Sequence, residues 1–253
     1  MDFQFNHIGS QFNNKTIYFI DSEGFGGTDK TRDFDSKLLT LCSLISNILI
    51  YNSINVIDEN AIQNLAVVTE LGKMVKIRNN SQLNEDISTL FPSFLWILRD
   101  FHLELINSNN SSISADEYLE DALKCQEGFT KEILFRNKVR MLITSFFKER
   151  HCITLTRPAD NEEDLHKLNS FKAQFKEQID NARELILSLL KEKTINGNKI
   201  AGKSFLLLLE SIIESFNSNK IPAILDAWEE IMRIQTEKEF NNILSIFVKE
   251  IVI

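Results

Sequence analysis

An α/β fold with a mostly parallel sheet, running into an all-helical segment, is what this 253-residue sequence predicts. Two patterns carry the prediction. Up to Pro158, short apolar strand-like runs alternate with helix-period stretches, which implies parallel strands joined by crossover helices and a sheet covered on both faces. Beyond Pro158 the strand pattern stops and helical stripes take over. Abundant Lys, Glu, Leu and Ile, with only three prolines, favour helix.

The elements follow in order. Asp2 to Asn6 alternates polar and apolar residues, Gly9 to Asn14 supplies turn residues, and Lys15 to Ile20 returns as a strand, so a hairpin opens the chain. Asp33 to Ser46 reads as a helix and Ile48 to Tyr51 as a buried strand. Asp58 caps a helix with the apolar face Ile62, Leu65, Val68 and Leu71. Phe94 to Leu98 is a strand, and Ser114-Ala115-Asp116-Glu117 is a capping box that opens a further helix. Arg136 to Phe147 is helical and Cys152 to Thr156 is the last strand. From residue 162 to 193 a stripe of Leu165, Leu168, Phe175, Ile179, Ile186 and Leu190 predicts one helix, broken at Asn196-Gly197-Asn198. Three more helices follow: Ser204 to Phe216, one with Pro222 in its first turn, and one from Glu237 to Val248. The resulting division is an α/β domain over 1–198 and a helical segment over 199–253.

Bulk properties exclude several classes. A net charge of −8 argues against a nucleic-acid partner. Cys42, Cys125 and Cys152 are odd in number and widely spaced, which fits reduced structural thiols inside a cell. Residues 38–57 are uncharged and long enough to span a bilayer. Their load of Ser43, Ser46, Asn47, Asn52, Ser53 and Asn55 points instead to a buried helix followed by a strand. His7, His102, His151 and His166 show no metal-ligand spacing.

Ligands of open parallel sheets bind beyond the carboxyl ends of the strands. Three such ends carry polar groups here. Ile20 runs into Asp21-Ser22-Glu23-Gly24, a D-x-x-G pattern that sets a carboxylate near Mg²⁺ and a backbone amide near a γ-phosphate. Arg99-Asp100 follows Leu98, and Arg157-Pro158 follows Thr156. A carboxylate accepts two hydrogen bonds side by side, and guanine offers N1 and N2 donors in that geometry, whereas adenine does not. Asp100 therefore fits a guanine reader, and Arg157 fits a group that stacks on or caps the base. Taken singly, Asp21 also reads as a loop carboxylate, Arg99-Asp100 as a surface ion pair and Arg157 as a loop residue.

The wider text resembles guanylate-binding proteins, large GTPases related to atlastins within the dynamin superfamily. The resemblance lies in Phe19 to Gly26, Tyr51-Asn52-Ser53-Ile54, Val68-Thr69-Glu70-Leu71, Trp96-Ile97-Leu98-Arg99-Asp100-Phe101, Asp116-Glu117-Tyr118-Leu119 and Arg157-Pro158. It implies a P-loop-GTPase-like domain followed by the start of a helical stalk. It further implies GTP or GDP with Mg²⁺ as ligands, Asp21 holding the metal through water, Gly24 at the γ-phosphate and Glu23 in the water network of hydrolysis. Arg99 and Asp100 would bind the base, and Arg157 would belong to the loop capping it. That loop also serves homo- or heterodimerisation through the G domain. The implied location is cytoplasmic, with any membrane attachment left to regions outside this sequence.

One departure stands out. The twenty residues before Asp21 contain no glycine-rich phosphate loop, and the family's first central strand and first switch have no counterpart there. Positioning and charge neutralisation supply nearly all of phosphoryl-transfer catalysis, so Asp21 and Glu23 are not expected to hydrolyse GTP alone. The expectation is an incomplete G domain, or alternatively a catalytically inactive module that pairs with intact relatives through the base-side face. A sheet lacking its central strand exposes two edges, which must pair with each other or with another chain. Gly197 to Ser204 does spell G-x-x-x-x-G-K-S. No apolar strand abuts Gly197, so a turn and helix start is the better reading.

Overall fold

The computed structural model describes residues 5–6, 11–12, 15–21, 32–68, 91–107, 109–195, 198–200, 202–218, 220 and 224–251. The opening strands pair antiparallel as expected at Phe5–Asn6 and Phe19–Ile20, but Gln11–Phe12, placed in the expected turn, is itself a strand that pairs with Lys15–Thr16. Strands β1 (Phe5–Asn6), β2 (Gln11–Phe12), β3 (Lys15–Thr16) and β4 (Phe19–Ile20) pair antiparallel, β1 with β4 and β2 with β3.

Helix α1 (Arg32–Ile45) leads into strand β5 (Ile48–Ile54), so the uncharged stretch 38–57 divides into helix and strand. The strand runs three residues past the expected Tyr51. No helix among the described residues is long and apolar enough to cross a membrane. Asp58 caps α2 (Glu59–Asn64) by accepting the Ala61 N–H at 2.7 Å, and Ile62, Leu65 and Val68 are buried as the stripe requires. Strand β6 (Ser93–Arg99) follows. The capping box at Ser114 opens α3 (Ala115–Ala122): Ser114 Oγ accepts from Glu117 N at 3.1 Å while the Glu117 carboxylate accepts from Ser114 N at 2.7 Å. Helix α4 (Lys131–Phe146) starts five residues before the expected Arg136, capped by Thr130. Strand β7 (Arg150–Thr154) begins two residues before the expected Cys152, because Arg150 and His151 find partners on α3: Arg150 bonds Glu120 and His151 pairs with Asp116 at 2.9 Å.

Strands β5, β6 and β7 form a parallel sheet in that order. The register sets Leu49 beside Phe94, Tyr51 beside Trp96, and Trp96 beside Cys152. Side chains on neighbouring paired positions share a face. This face packs Phe94, Trp96, Leu98 and Cys152 against α2, α3 and α4 through Ile62, Leu119, Val139 and Ile143. Each fully buried side chain of this kind contributes about 1.5–3 kcal/mol of burial. The indole N–H of Trp96 donates to Ser53 Oγ at 2.8 Å, so its polar group is satisfied inside the cluster.

The region after Pro158 departs from the single expected helix over 162–193. Two 3₁₀ turns, Glu162–Asp164 and Leu168–Ser170, precede α5 (Ala173–Leu189). The reason is a closed loop: Lys172 N donates to Pro158 O at 2.8 Å, and Lys172 Nζ meets Asp160 at 2.6 Å. Leu168, counted in the helical stripe, is 75% exposed. A small antiparallel pair, β8 (Thr194–Ile195) and β9 (Asn198–Lys199), was not expected. Helix α6 (Lys203–Asn217) is followed by α7 (Ile224–Ile251), a single helix where two were expected. Arg233 bridges the supposed break by pairing with both Glu230 and Glu237. A second apolar cluster joins Leu41, Leu44 and Ile45 of α1 to Ile195, Leu208, Ile212, Phe216, Trp228 and Ile231.

Candidate functional site

The carboxyl ends of β5, β6 and β7 are tied together by backbone bonds that continue past the sheet. Asn55 N donates to Arg99 O at 2.7 Å, Leu155 N to Leu98 O at 2.8 Å, and Phe101 N to Leu155 O at 2.9 Å. Arg99, Asp100 and the segment leading to Arg157 therefore sit side by side. Asp100 has φ 54°, in the left-handed region that Asp tolerates better than most residues. That turn ends the strand and brings Phe101 back to Leu155. Phe101 itself is buried and meets Tyr118 edge-on at 5.8 Å, which anchors the turn from below. Tyr118 also accepts the Ile57 N–H at 3.1 Å, fixing the exit from β5.

Arg157 is exposed and pairs with Glu162, the first residue of the 3₁₀ turn. Its guanidinium is thus held within the loop 157–172. Ala159 is buried beneath the same loop. Two further residues matter here: Glu162, which the sequence reads only as part of a solvated first turn, and Gln178, which it does not single out. Gln178 of α5 accepts from both Thr156 N and Thr156 Oγ1, at 2.9 and 3.0 Å, immediately before Arg157. No spacing rule links a helix glutamine to a strand end, and the Arg157 to Glu162 interval matches no helical repeat, so neither was legible.

Asp21 closes β4 and is exposed. Its strand pairs with β1, and no ladder joins it to β5 among the described residues. Glu23 and Gly24 lie outside the described residues. No group of three or more His, Cys, Asp or Glu among the described residues forms a metal cage. A cavity of about 460 Å³ opens beside the site, lined by Phe101, Leu105, Ile113, Thr154 and Gln178. Neither Asp100 nor Arg157 is in its walls.

Of the segment 197–204, Gly197 and Ala201 lie outside the described residues, and the rest belongs to a strand pair and a helix start. Thr194–Ile195 pairs with Asn198–Lys199, Ile200 N donates to Lys193 O at 2.8 Å, and Ile200 is buried. The backbone of Asn198 to Ile200 is engaged in this pairing, and α6 begins at Lys203.

The family model for the guanylate-binding protein N-terminal domain matches residues 4–196. The chain belongs to the guanylate-binding protein family. It is similar to human guanylate-binding protein 4, 31% identical over 226 residues that cover 85% of this chain and 35% of the relative. Mouse guanylate-binding protein 2 is 32% identical over 225 residues, 84% of this chain and 38% of its own length. Mouse guanylate-binding protein 5 is 32% identical over 229 residues, with 83% and 37% covered. The chain thus spans less than two fifths of the length of these relatives. As a member of this family it carries the Arg99-Asp100 turn at the carboxyl end of the middle strand of its parallel sheet.

Proposed function

We propose that this chain forms the base-recognising part of a GTP-binding and GTP-hydrolysing large G protein. Asp100 accepts the N1 and N2 protons of guanine, Arg99 stands beside it, and Arg157 covers the base from the loop 157–172. The backbone closure between Phe101 and Leu155 (2.9 Å) supports this assignment, because it fixes the Asp100 turn against the strand end that leads to Arg157. Asp21 is one exposed carboxylate, which suits a Mg²⁺ that takes its remaining ligands from water and nucleotide phosphates. Gly24 faces the γ-phosphate and Glu23 orders the attacking water. In-line attack on the γ-phosphate additionally requires a phosphate cradle, because positioning and charge neutralisation are the catalysis. The protein acts in the cytoplasm and pairs with itself or relatives through its base-side face.

A second reading is favoured by the pairing of Asn198–Lys199 with Thr194–Ile195, which engages that backbone within the chain: a catalytically inactive module that binds intact relatives. Titration of the chain with fluorescent guanine and adenine nucleotides in Mg²⁺ tests the first reading. Guanine preference with phosphate release supports the enzyme. Association with an intact relative without release supports the module. Equal affinity for ATP, or no nucleotide binding at all, overturns base recognition.

A further inference from the structure

Strand β7 is the outer strand of the parallel sheet, on the side where α3 and α5 meet its edge. Its odd-numbered residues turn their backbone groups toward β6: Phe94 N donates to Glu149 O at 2.9 Å and Leu155 N to Leu98 O at 2.8 Å. The even-numbered residues therefore turn theirs outward. Two of these outward amides are capped by side chains. Cys152 N donates to Asp116 of α3 at 2.6 Å, and Thr156 N donates to Gln178 of α5 at 2.9 Å. Thr154 stands between them, and its N–H has no hydrogen-bond partner among the described residues.

This uncapped position opens into the cavity of about 460 Å³. Phe101, Leu105 and Ile113 give it an apolar wall, and Thr154, Thr156 and Gln178 a polar one. Its volume falls in the range of ligand sites. The apolar wall is held in place by a closed hairpin: Ile113 N donates to Leu105 O at 2.9 Å, and Asn107 N to Ser111 O at 2.9 Å. Among the described residues no Lys, Arg or His lines the cavity, and Glu104 does, so an anionic ligand finds no counter-charge there. A strand-edge residue offers an N–H and a C=O side by side. The matching pair, again on one side, belongs to a residue of another extended chain.

We propose that this cavity receives an extended segment of another polypeptide, one apolar residue of which pairs with Thr154. That residue accepts the Thr154 N–H at its own C=O and donates its own N–H to Thr154 O. Its side chain falls on the sheet face that carries Cys152 and Thr154, against Phe101, Leu105 and Ile113. Asp116 and Gln178 occupy the next outward amides on either side, so the segment is read at a single position rather than added as a full strand. Leu103 and Ile106, 49% and 47% exposed at the mouth, cover its flanking residues. The site uses neither Asp100 nor Arg157 and needs no nucleotide, so it stands or falls apart from base recognition.

Titration of the isotope-labelled full chain with the end-blocked tripeptide acetyl-Gly-Leu-Gly-amide, followed by NMR without nucleotide, tests the proposal. Saturable shifts of the Thr154 amide and of the Gln178 side-chain amide are expected. A copy of the peptide methylated on the leucine nitrogen keeps the apolar body but lacks the donor, and is expected to bind about tenfold more weakly. An unmoved Thr154 amide at millimolar peptide overturns the proposal, as do shifts confined to residues outside the cavity. Equal affinity for the methylated copy overturns it too, because apolar contact alone would then hold the peptide.

Discussion

Gln178 holds Thr156 with one carbonyl oxygen, accepting its backbone N–H at 2.9 Å and its hydroxyl at 3.0 Å. A helix thereby fixes the position immediately before Arg157. Below it, Lys172 closes the loop on Pro158, so the segment carrying Arg157 is tied at both ends.

Replacing Gln178 with leucine leaves two donors on Thr156 without their acceptor. The expected loss is about 1–3 kcal/mol for the unsatisfied groups. Chemical denaturation measures that loss, and hydrogen exchange should show the Thr156 amide released ahead of the amides of β6. Unchanged protection at Thr156 would show that α5 does not secure the loop.

Asp100 separates recognition from backbone geometry. Asn tolerates the left-handed φ of 54°, whereas alanine at that position is expected to be strained by about 1 kcal/mol. Asp100→Asn should keep the melting temperature and lose the preference for guanine over adenine nucleotides. Asp100→Ala should lower both. Selectivity retained in Asp100→Asn would refute Asp100 as the base reader.

Arg140 is 2% exposed and pairs with Glu59 across from α4 to α2, while its Nε donates to Ala122 O at 3.0 Å. Glu59→Gln leaves the guanidinium buried without its counter-charge, with an expected loss of about 3 kcal/mol. Arg140→Met, which removes the charge itself, should be the milder change. Urea unfolding of both variants and the double variant checks this order.

Burial gives the pH dependence two opposing parts. It pushes Lys193 down to about 8, so above that pH the folded chain has released a proton that the unfolded chain still holds up to about 10.4. This part raises stability with pH across that window. Burial pushes Cys42 up to about 11 and Cys152 up to about 12. Their thiols stay protonated in the fold after ionising in the unfolded chain, so this part lowers stability as pH rises past about 8.5. Lys193→Met should therefore show a steeper alkaline decline than the parent, differing by up to about 1.4 kcal/mol per pH unit between pH 8 and 10. Parallel stability curves would mean that Lys193 titrates normally.

Much of the fold was legible because periodicity and caps agreed. Asp58 and Ser114 marked helix starts through local hydrogen bonds that the sequence spells directly. The alternation at Phe5 and Phe19 found the hairpin. Misreadings occurred where distant partners decide. Leu165 and Leu168 mimic a helical stripe, yet the Pro158 to Lys172 closure holds them in a loop. Strands of two residues, such as Thr194–Ile195, are too short to alternate. Asp100 and Arg157 drew notice in the sequence because strand ends concentrate polar groups, and their role in base recognition is the reading proposed above. Gln178 and Glu162 were hidden because their partners come from a different element or an irregular interval.

Helix α1 lends Leu39 to the sheet-side cluster and Leu41, Leu44 and Ile45 to the cluster with α6 and α7. A cut at residue 198 would strip solvent protection from three residues more than 150 positions upstream. The two halves consequently share a wall, and a shove on the distal helices reaches the beginning of β5 through one rigid rod.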